Sequence, residues 1–324
     1  MKSNRVLRAA AGLLAGMLLL GQQAWAESPD KPIRMLIPFP AGGATDQMAR
    51  ILGKHFTEVW GQPVVSDNRP GANGVIGTDL LAKSPPDGYT LELVAMGHAV
   101  NPLFYKRLPY DTDRDITPIS LVATYPQGVL VPANSPFKTL KDLLDRARTP
   151  GAPQLNFGSG GPGSSQHLAA ELFSSMAGIK MSDIPYKGAA PALMDVAAGT
   201  VDLMISSPPQ SYLQSGRMRV LAVSSKHRMA MLPDVPPVSE AGVPGYESLA
   251  WYGLVGPKGM PQDVLRKIAE ETAKALRSQE MKDAAAVQGG EPAVGSSPES
   301  FAAFIQTERK RYAPIVKAAH ISLD

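Results

Sequence analysis

The chain contains no cysteine. That excludes disulfides, thiolate metal ligands and thiol nucleophiles, and it removes the acylated cysteine that anchors a lipoprotein. Beyond the first two dozen residues no stretch approaches the ~20 apolar residues of a membrane-crossing helix. No Gly-Lys-Ser/Thr triplet is present to meet a triphosphate, and no Gly-x-Ser-x-Gly elbow to expose a serine nucleophile. The five histidines, His55, His98, His167, His227 and His320, show no His-x-x-x-His or acid-rich ligand spacing, so no metal is expected. A cofactor site is equally without a signature.

Net charge is the next thing in short supply. Lys2, Arg5 and Arg8 precede an apolar run from Ala9 to Gly21 and then Ala24-Trp25-Ala26, the pattern of a secretory signal peptide over residues 1–26. The alternative is an uncleaved anchor, against which the small-x-small cleavage pattern argues. Removing that leader takes Lys+Arg from 32 to 29, against 29 Asp+Glu. A balanced surface argues against a nucleic-acid partner, which needs a basic footprint to release counterions. The mature protein is then expected to be soluble and exported. Its 298 residues suffice for two domains, each with its own core.

What is present is glycine and proline, 30 of each, punctuating apolar segments. Strand-length runs alternate with helical patterns: Ile33–Phe39 then Asp46–Trp60; Val64–Val65 then Val75–Ala82; Leu91–Ala95. After a hydrophobic linker, Leu121–Val131, the series resumes with a helix over Leu140–Ala147, a strand Leu155–Gly158 and a helix Ser164–Ala177. A strand near Ile184–Tyr186, a helix Ala189–Ala198 and strands Val201–Ser206, Val220–Val223 and Gly253–Val255 follow. Helices Gln262–Leu276 and Pro298–Ala318 close the chain. This alternation predicts βαβ units in an α/β protein of two lobes with a cleft between them, each lobe a mainly parallel sheet flanked by helices.

One unit occurs twice. IRMLIPFPAGGATDQMARIL and LNFGSGGPGSSQHLAAELF each read as strand, glycine-rich loop, then helix with a hydroxyl residue in its first turn. The first amides of a helix have no internal partner and, with the macrodipole, make an anion site; glycines let a ligand approach the backbone. Around Gly42-Gly43 an anion could meet the amides of Ala44, Thr45 and Asp46. The plainer reading is a tight turn in which Thr45 or Asp46 caps its own helix. Gly158-x-Gly160-x-x-Gly163 matches a dinucleotide fingerprint literally. However, Pro162 sits inside the turn and Asp183 precedes the following strand instead of ending it, so a small carboxylate fits better.

Other residues carry two readings each. Ser164, Ser165 and His167 crowd one helix start, as caps or ligand donors, or as an exported hydrolase or lyase without a convincing acid to orient the histidine. His98 follows a strand and is a candidate for the cleft wall. Arg69 reads as a surface ion pair before a ligand arginine. Tyr186-Lys187-Gly188 follow a strand and face the cleft or tie up backbone. Asp202 would repel an anion, so a structural hydrogen bond is an equal reading. Trp251-Tyr252 is core, or a cover for an apolar ligand body.

The segments IPFPAGGATD, NRPGANGVIGTDLLAKSPPDGYTL, NPLFYKRLPYD, GSGGPGSSQHLAAELF, PYKGAAPALMDVAAGTVDLM, LPDVPPVSEAGVPGYE and WYGLVGPKGMP together resemble the Bug-type substrate-binding proteins of tripartite tricarboxylate transporters. The resemblance spans nearly all of the mature chain. It departs where Asn73 interrupts the family's usual Gly-Ala-Gly-Gly. The resemblance implies a two-lobed periplasmic binding protein of type II, a monomer that performs no reaction. Such a protein closes on a small organic acid and delivers it to the transporter's membrane subunits; a sensing subunit for a membrane kinase would share the same cleft. It implies lobe 1 from 27–124 plus 224–324 and lobe 2 from 125–223. Ligand contacts carried over are Phe39, Pro40, Ala41, Gly42, Gly43, Ala44, Thr45 and Asp46 in the first lobe. Those in the second are Ser159, Gly160, Gly163, Ser164, Ser165 and His167, with Tyr186, Lys187, Gly188 and Asp202 beside them. Position 98 varies in the family and is expected to tune ligand choice.

Overall fold

The structure is a computed structural model that describes residues 29–318 apart from Gln288, so the expected leader lies outside the described residues. Strand β1 (Ile33–Ile37) is buried along almost its whole length. It feeds a loop and then helix α1 (Ala44–Trp60), which buries Met48, Ala49, Leu52 and Phe56 at helical spacing. Gly61 ends that helix in a left-handed conformation, its amide donating to the Thr57 carbonyl. Strand β2 (Val64–Asn68) then pairs parallel to β1, which also takes β3 (Thr90–Ala95) in parallel on its other side. Between them lie a 3-10 turn (Ala72–Gly74) and α2 (Val75–Ala82), and after β3 comes α3 (Gly97–Phe104).

The long strand β4 (Ile116–Pro126) leads into β5 (Gly128–Pro132), with Gln127 between them. Next come α4 (Leu140–Arg148), β6 (Leu155–Ser159), α5 (Ser165–Ala177), β7 (Met181–Pro185), α6 (Ala189–Ala198), β8 (Met204–Ser206), α7 (Gln210–Gln214) and β9 (Met218–Val223). The chain returns through β10 (Leu249–Pro257), α8 (Gln262–Ala275), α9 (Gln279–Ala286), β11 (Glu291–Pro292) and α10 (Pro298–Ala318). One six-stranded sheet has the order β11-β4-β10-β3-β1-β2; a second region holds β8-β5-β9 and the pair β6-β7, bridged at Phe157 and Leu203.

The α/β architecture agrees with the sequence pattern, but the sheets are mixed and not mainly parallel. β10 runs antiparallel to both β3 and β4, β11 is antiparallel to β4, and β5 is antiparallel to β8 and β9. The cause is chain return: β4 and β10 cross between the two regions in opposite directions, so they pair head to tail. The stretch 121–131 is strand on either side of Gln127 and not linker. β7 ends before Tyr186, β8 begins only at Met204, and β10 extends well either side of Gly253–Val255.

Two packing features position the cleft. An apolar core runs from Leu36 and Val94 through Trp251, Phe301 and Tyr312 to Phe157 and Leu203, so the two regions share a wall. Helix α10 lies along that wall, against α3, β4 and α5. The crossing strands are pinned at buried polar residues. Gln127 and Ser224 are nearly inaccessible; the Ser224 amide donates to the Gln127 carbonyl, and the Gln127 amide to Ser224 Oγ, both at 2.7 Å. Ser224 Oγ donates to the Ser248 carbonyl, and Ser248 Oγ lies 3.0 Å from the Tyr312 hydroxyl. Buried polar groups are costly unless paired, and here each of these pairs fixes the crossing point.

Candidate functional site

In the first lobe, β1 delivers Pro38 to Gly43 into the mouth of α1. Gly43 is the N-cap at φ −78°, ψ 173°, and no side chain caps the helix. The first amides of α1 are therefore left for another acceptor. Asp46 does not cap its own helix: its Oδ2 accepts from the Gly42 amide at 2.9 Å, and its Oδ1 from Asn68 Nδ2 at 3.0 Å, while Asn68 also holds the Phe39 carbonyl. Arg50 Nε reaches the same Oδ2 at 2.9 Å. That hydrogen bond is the main reason the Asp46 carboxyl is held down at about 2. Its charge is thus matched and does not oppose an incoming anion. Thr45 is buried, beside the Tyr252 hydroxyl. Ala41, Gly42 and Gly43 are exposed.

In the second lobe, β6 ends at the fully buried Ser159, whose Oγ accepts from the Gly161 amide at 3.2 Å. Gly161 and Gly163 take φ of 101° and 76°, the left-handed region that favours glycine. The Gly163 amide donates to His167 Nδ1 at 3.1 Å, and Ser164 Oγ accepts from the His167 amide at 3.3 Å as the N-cap of α5. His167 Nε2 faces Asp183 at 3.8 Å and Glu171 at 3.9 Å, and burial lowers the imidazole's affinity for a proton. Two acids thus flank this histidine, contrary to the reading that none would orient it. With Nδ1 taken by a backbone amide and Ser164 committed as a cap, His167 organises the loop and activates no serine.

The two loops face one another. Pro38, Phe39, Pro40, Pro70, Gly71, Asn73 and Gly74 line one side of a gap of about 360 Å3, and Gly160, Pro162 and Ser164 the other. A third helix start adjoins it. Gly188, at φ 111°, begins α6 with no side-chain cap, and a Cβ on Gly160 would lie 3.5 Å from the Ala189 amide nitrogen. Tyr186 stands behind, its amide donating to the Ser159 carbonyl and its hydroxyl to Asp195 at 2.6 Å, while Lys187 is exposed. A larger hollow of about 480 Å3 is lined by Asp111, Asp113 and Asp115 with Arg114 and Arg309; each arginine is paired with one of those acids, so the lining stays net acidic and disfavours an anion.

Of the expected contacts, Phe39, Pro40, Gly160 and Ser164 line the gap; Ala41 to Asp46, Ser159, Gly163, Ser165, His167 and Tyr186 to Gly188 sit on the same loops or beside them without lining it, and His98 and Asp202 lie elsewhere. His98 is buried in α3 and lines a separate hollow with Asp113 and Ile116; burial, aided by Arg309, holds its pKa down to about 4. Asp202 Oδ2 accepts from the Asn156 amide at 2.8 Å, a tie between β6 and the bend that precedes β8. Arg69 pairs with Asp67 at 2.8 Å on the surface, and Trp251 is core, packed edge-on to Phe301 and Phe304. The loop 70–74 lies outside the ligand contacts expected from the sequence, although its Pro-Gly-Ala-Asn-Gly composition announces an unusual turn. Among the described residues no group of three His, Asp or Glu could hold a metal ion.

A two-lobed α/β molecule whose glycine loops meet across one gap is a periplasmic binding protein. The family model for the tripartite tricarboxylate transporter family receptor, TctC, matches residues 48–321, and the chain belongs to that family. It is 36% identical to protein BugT of Bordetella pertussis over 298 residues, 89% of each chain. Among solved structures it superposes on Rpa4515 of R. palustris with adipate at a TM-score of 0.80 and 34% identity, covering 91% of this chain and 99% of that one. MatC from Rhodopseudomonas palustris with bound malate gives 0.76 and 27%, covering 89% and 99%. The protein is therefore a Bug-type solute-binding receptor and not an enzyme.

Proposed function

We propose that the protein captures a small organic carboxylate between its two glycine loops and presents the closed form to the membrane subunits of a tripartite transporter. It acts as a soluble periplasmic monomer exported by residues 1–26, with lobe 1 formed by 27–124 and 224–324 and lobe 2 by 125–223. The observation that carries this reading is the single gap shared by the loop entering α1 and the loop entering α5. One carboxylate oxygen would take amides at Gly43 to Asp46 and the other the amides and hydroxyls of Ser159 to Ser165, with Tyr186, Lys187 and Gly188 at the rim. An exposed helix terminus contributes about 0.3–1 kcal/mol to an anion, and each charge-assisted hydrogen bond roughly 1.5–3 kcal/mol. Either lobe alone is a weak site. A ligand that satisfies both only when the gap is shut binds the closed state better and shifts the population toward it.

The hydrolase or lyase alternative finds no support in Ser164 and His167: His167 Nδ1 accepts from the Gly163 amide, its Nε2 faces two acids and no serine, and Ser164 Oγ caps α5. Adipate and malate, the acids bound in the two structural relatives, are the first probes for this chain. A thermal-shift screen of linear dicarboxylates, hydroxy acids and aromatic acids tests the reading, since a ligand at ~100 times its Kd stabilises by about 2.7 kcal/mol. The expected result is a saturable rise in Tm with the acid recovered unaltered. No stabilisation by any acid, or conversion of one to product, would overturn it.

A further inference from the structure

Ala72 and Asn73 are the non-glycine residues with positive φ among the described residues, at 47° and 51°. L-residues adopt that region at a cost, and such strain persists where the surroundings fix it and clusters at functional sites. Here the fixing group is Asn101, itself 1% exposed. Its Nδ2 donates to the Asn73 carbonyl at 3.1 Å, and its Oδ1 accepts from Asn73 Nδ2 at 2.9 Å, so backbone and carboxamide are both clamped. Gly97 lies directly beneath; a methyl there would come within 2.6 Å of the Asn73 carbonyl oxygen. With one Nδ2 proton given to Asn101, the other is aimed across the gap, where the Gly163 carbonyl oxygen lies 3.5 Å away. The peptide that carries the Gly163 carbonyl is held by the Ser164 amide, which donates to the Gly161 carbonyl at 3.1 Å, and the Gly163 amide is held by His167, so Asn73 meets the second lobe at a loop already fixed from its own side.

We propose that Asn73 is a positioning residue of the ligand cleft, a carboxamide strut from the first lobe to Gly163 of the second that sets the separation of the two glycine loops. The strut costs little in entropy because Asn101 orders it before closure. It adds a contact that forms only as the lobes approach, which weights the equilibrium toward the closed form. The inference rests on two-lobed closure and not on which acid is bound.

The test uses Asn73→Gly, which keeps the left-handed backbone without strain and removes only the side chain. Because the chain has no cysteine, Val65→Cys on β2 and Met194→Cys on α6, both 53% exposed, give a unique spin-label pair with one label on each side of the cleft. In the unliganded mature protein carrying Asn73→Gly, the distance distribution is expected to broaden and move outward, with at most a modest fall in Tm, since relief of the left-handed strain offsets loss of the Asn73–Asn101 hydrogen bond. For whichever acid stabilises the parent protein, Kd should rise about threefold to tenfold, as for loss of one hydrogen bond. Superimposable distance distributions would overturn the proposal, as would a Tm loss without any change in distance. The distance measurement needs no ligand, so a protein that binds no acid and a protein whose Asn73 is idle give different results.

Discussion

Glu92 offers the sharpest quantitative test of how the first lobe is built. It sits in β3 with no exposed surface; Oε1 accepts from the Thr78 hydroxyl at 3.1 Å, and Oε2 has no partner among the described residues. Burial, opposed only by that one hydrogen bond, pushes the carboxyl from 4.5 up to about 8. In the unfolded chain it ionises at the ordinary value, so between those two limits the unfolded state has released a proton that the native state keeps. Stability therefore falls as pH rises across that window and levels off above it. Each unit of separation is worth about 1.4 kcal/mol, and local relaxation brings the whole effect to on the order of 2–4 kcal/mol. Glu92→Gln keeps the shape and deletes the titration. His98, with its pKa lowered to about 4, and Glu308, pushed up to about 7, titrate equally in both proteins, so the difference between them isolates Glu92. Urea unfolding from about pH 5 to about pH 9 should show the Gln variant gaining on the parent by that amount. Parallel profiles would refute the reasoning.

Three further outcomes are expected. Gly43→Val folds, since a Cβ there meets only the Pro40 carbonyl at 3.6 Å, but its isopropyl group stands over the open amides of α1; calorimetry should find binding weakened by about tenfold or more. Gly160→Val should do the same from the other lobe, its nearest neighbour being the yielding tip of Gln166 at 3.1 Å, and unchanged affinity in both variants would remove the site. Asp46→Asn loses the Arg50 pair and should cost about 1 kcal/mol, discounted because Arg50 is half exposed; since the native carboxyl is held at about 2, that advantage is present above the unfolded carboxylate value and disappears as pH falls through about 2 in acid titrations of unfolding. Gly253→Ala drives a methyl into the ring of Phe301, whereas Gly256→Ala meets the flexible end of Met260; Tm should fall by roughly the equivalent of 1–3 kcal/mol for the first and less for the second.

Much of this was legible in the chain because it is local. The strand-loop-helix units at residues 33–60 and 155–177 announce themselves by apolar period and glycine, and the structure brings both loops to one gap. What escaped was set by partners distant in sequence. The antiparallel course of β4 and β10 depends on where the chain returns, which no local period encodes. His98 looked like a cleft residue because it follows a strand, yet the α3 turn carries it inward toward Asp113 and Arg309. Asp183 and Glu171 reach His167 only through the pairing of β6 with β7 and the pitch of α5. Asn73 read as a break in a glycine motif; its clamp, Asn101, lies 28 residues away.

The single buried glutamine where the long strand passes from one half to the other has a mechanical corollary. Because Gln127 is bolted to Ser224, just past β9, and Ser224 to Ser248, sliding the two crossings past one another would break buried hydrogen bonds that turning them together keeps. With α10 lying along the same edge, the motion that disturbs least is a swing like that of a book on its spine. Under the proposed function, a transporter subunit touching both covers would read one angle, and that angle would report occupancy whatever molecule lies between the pages.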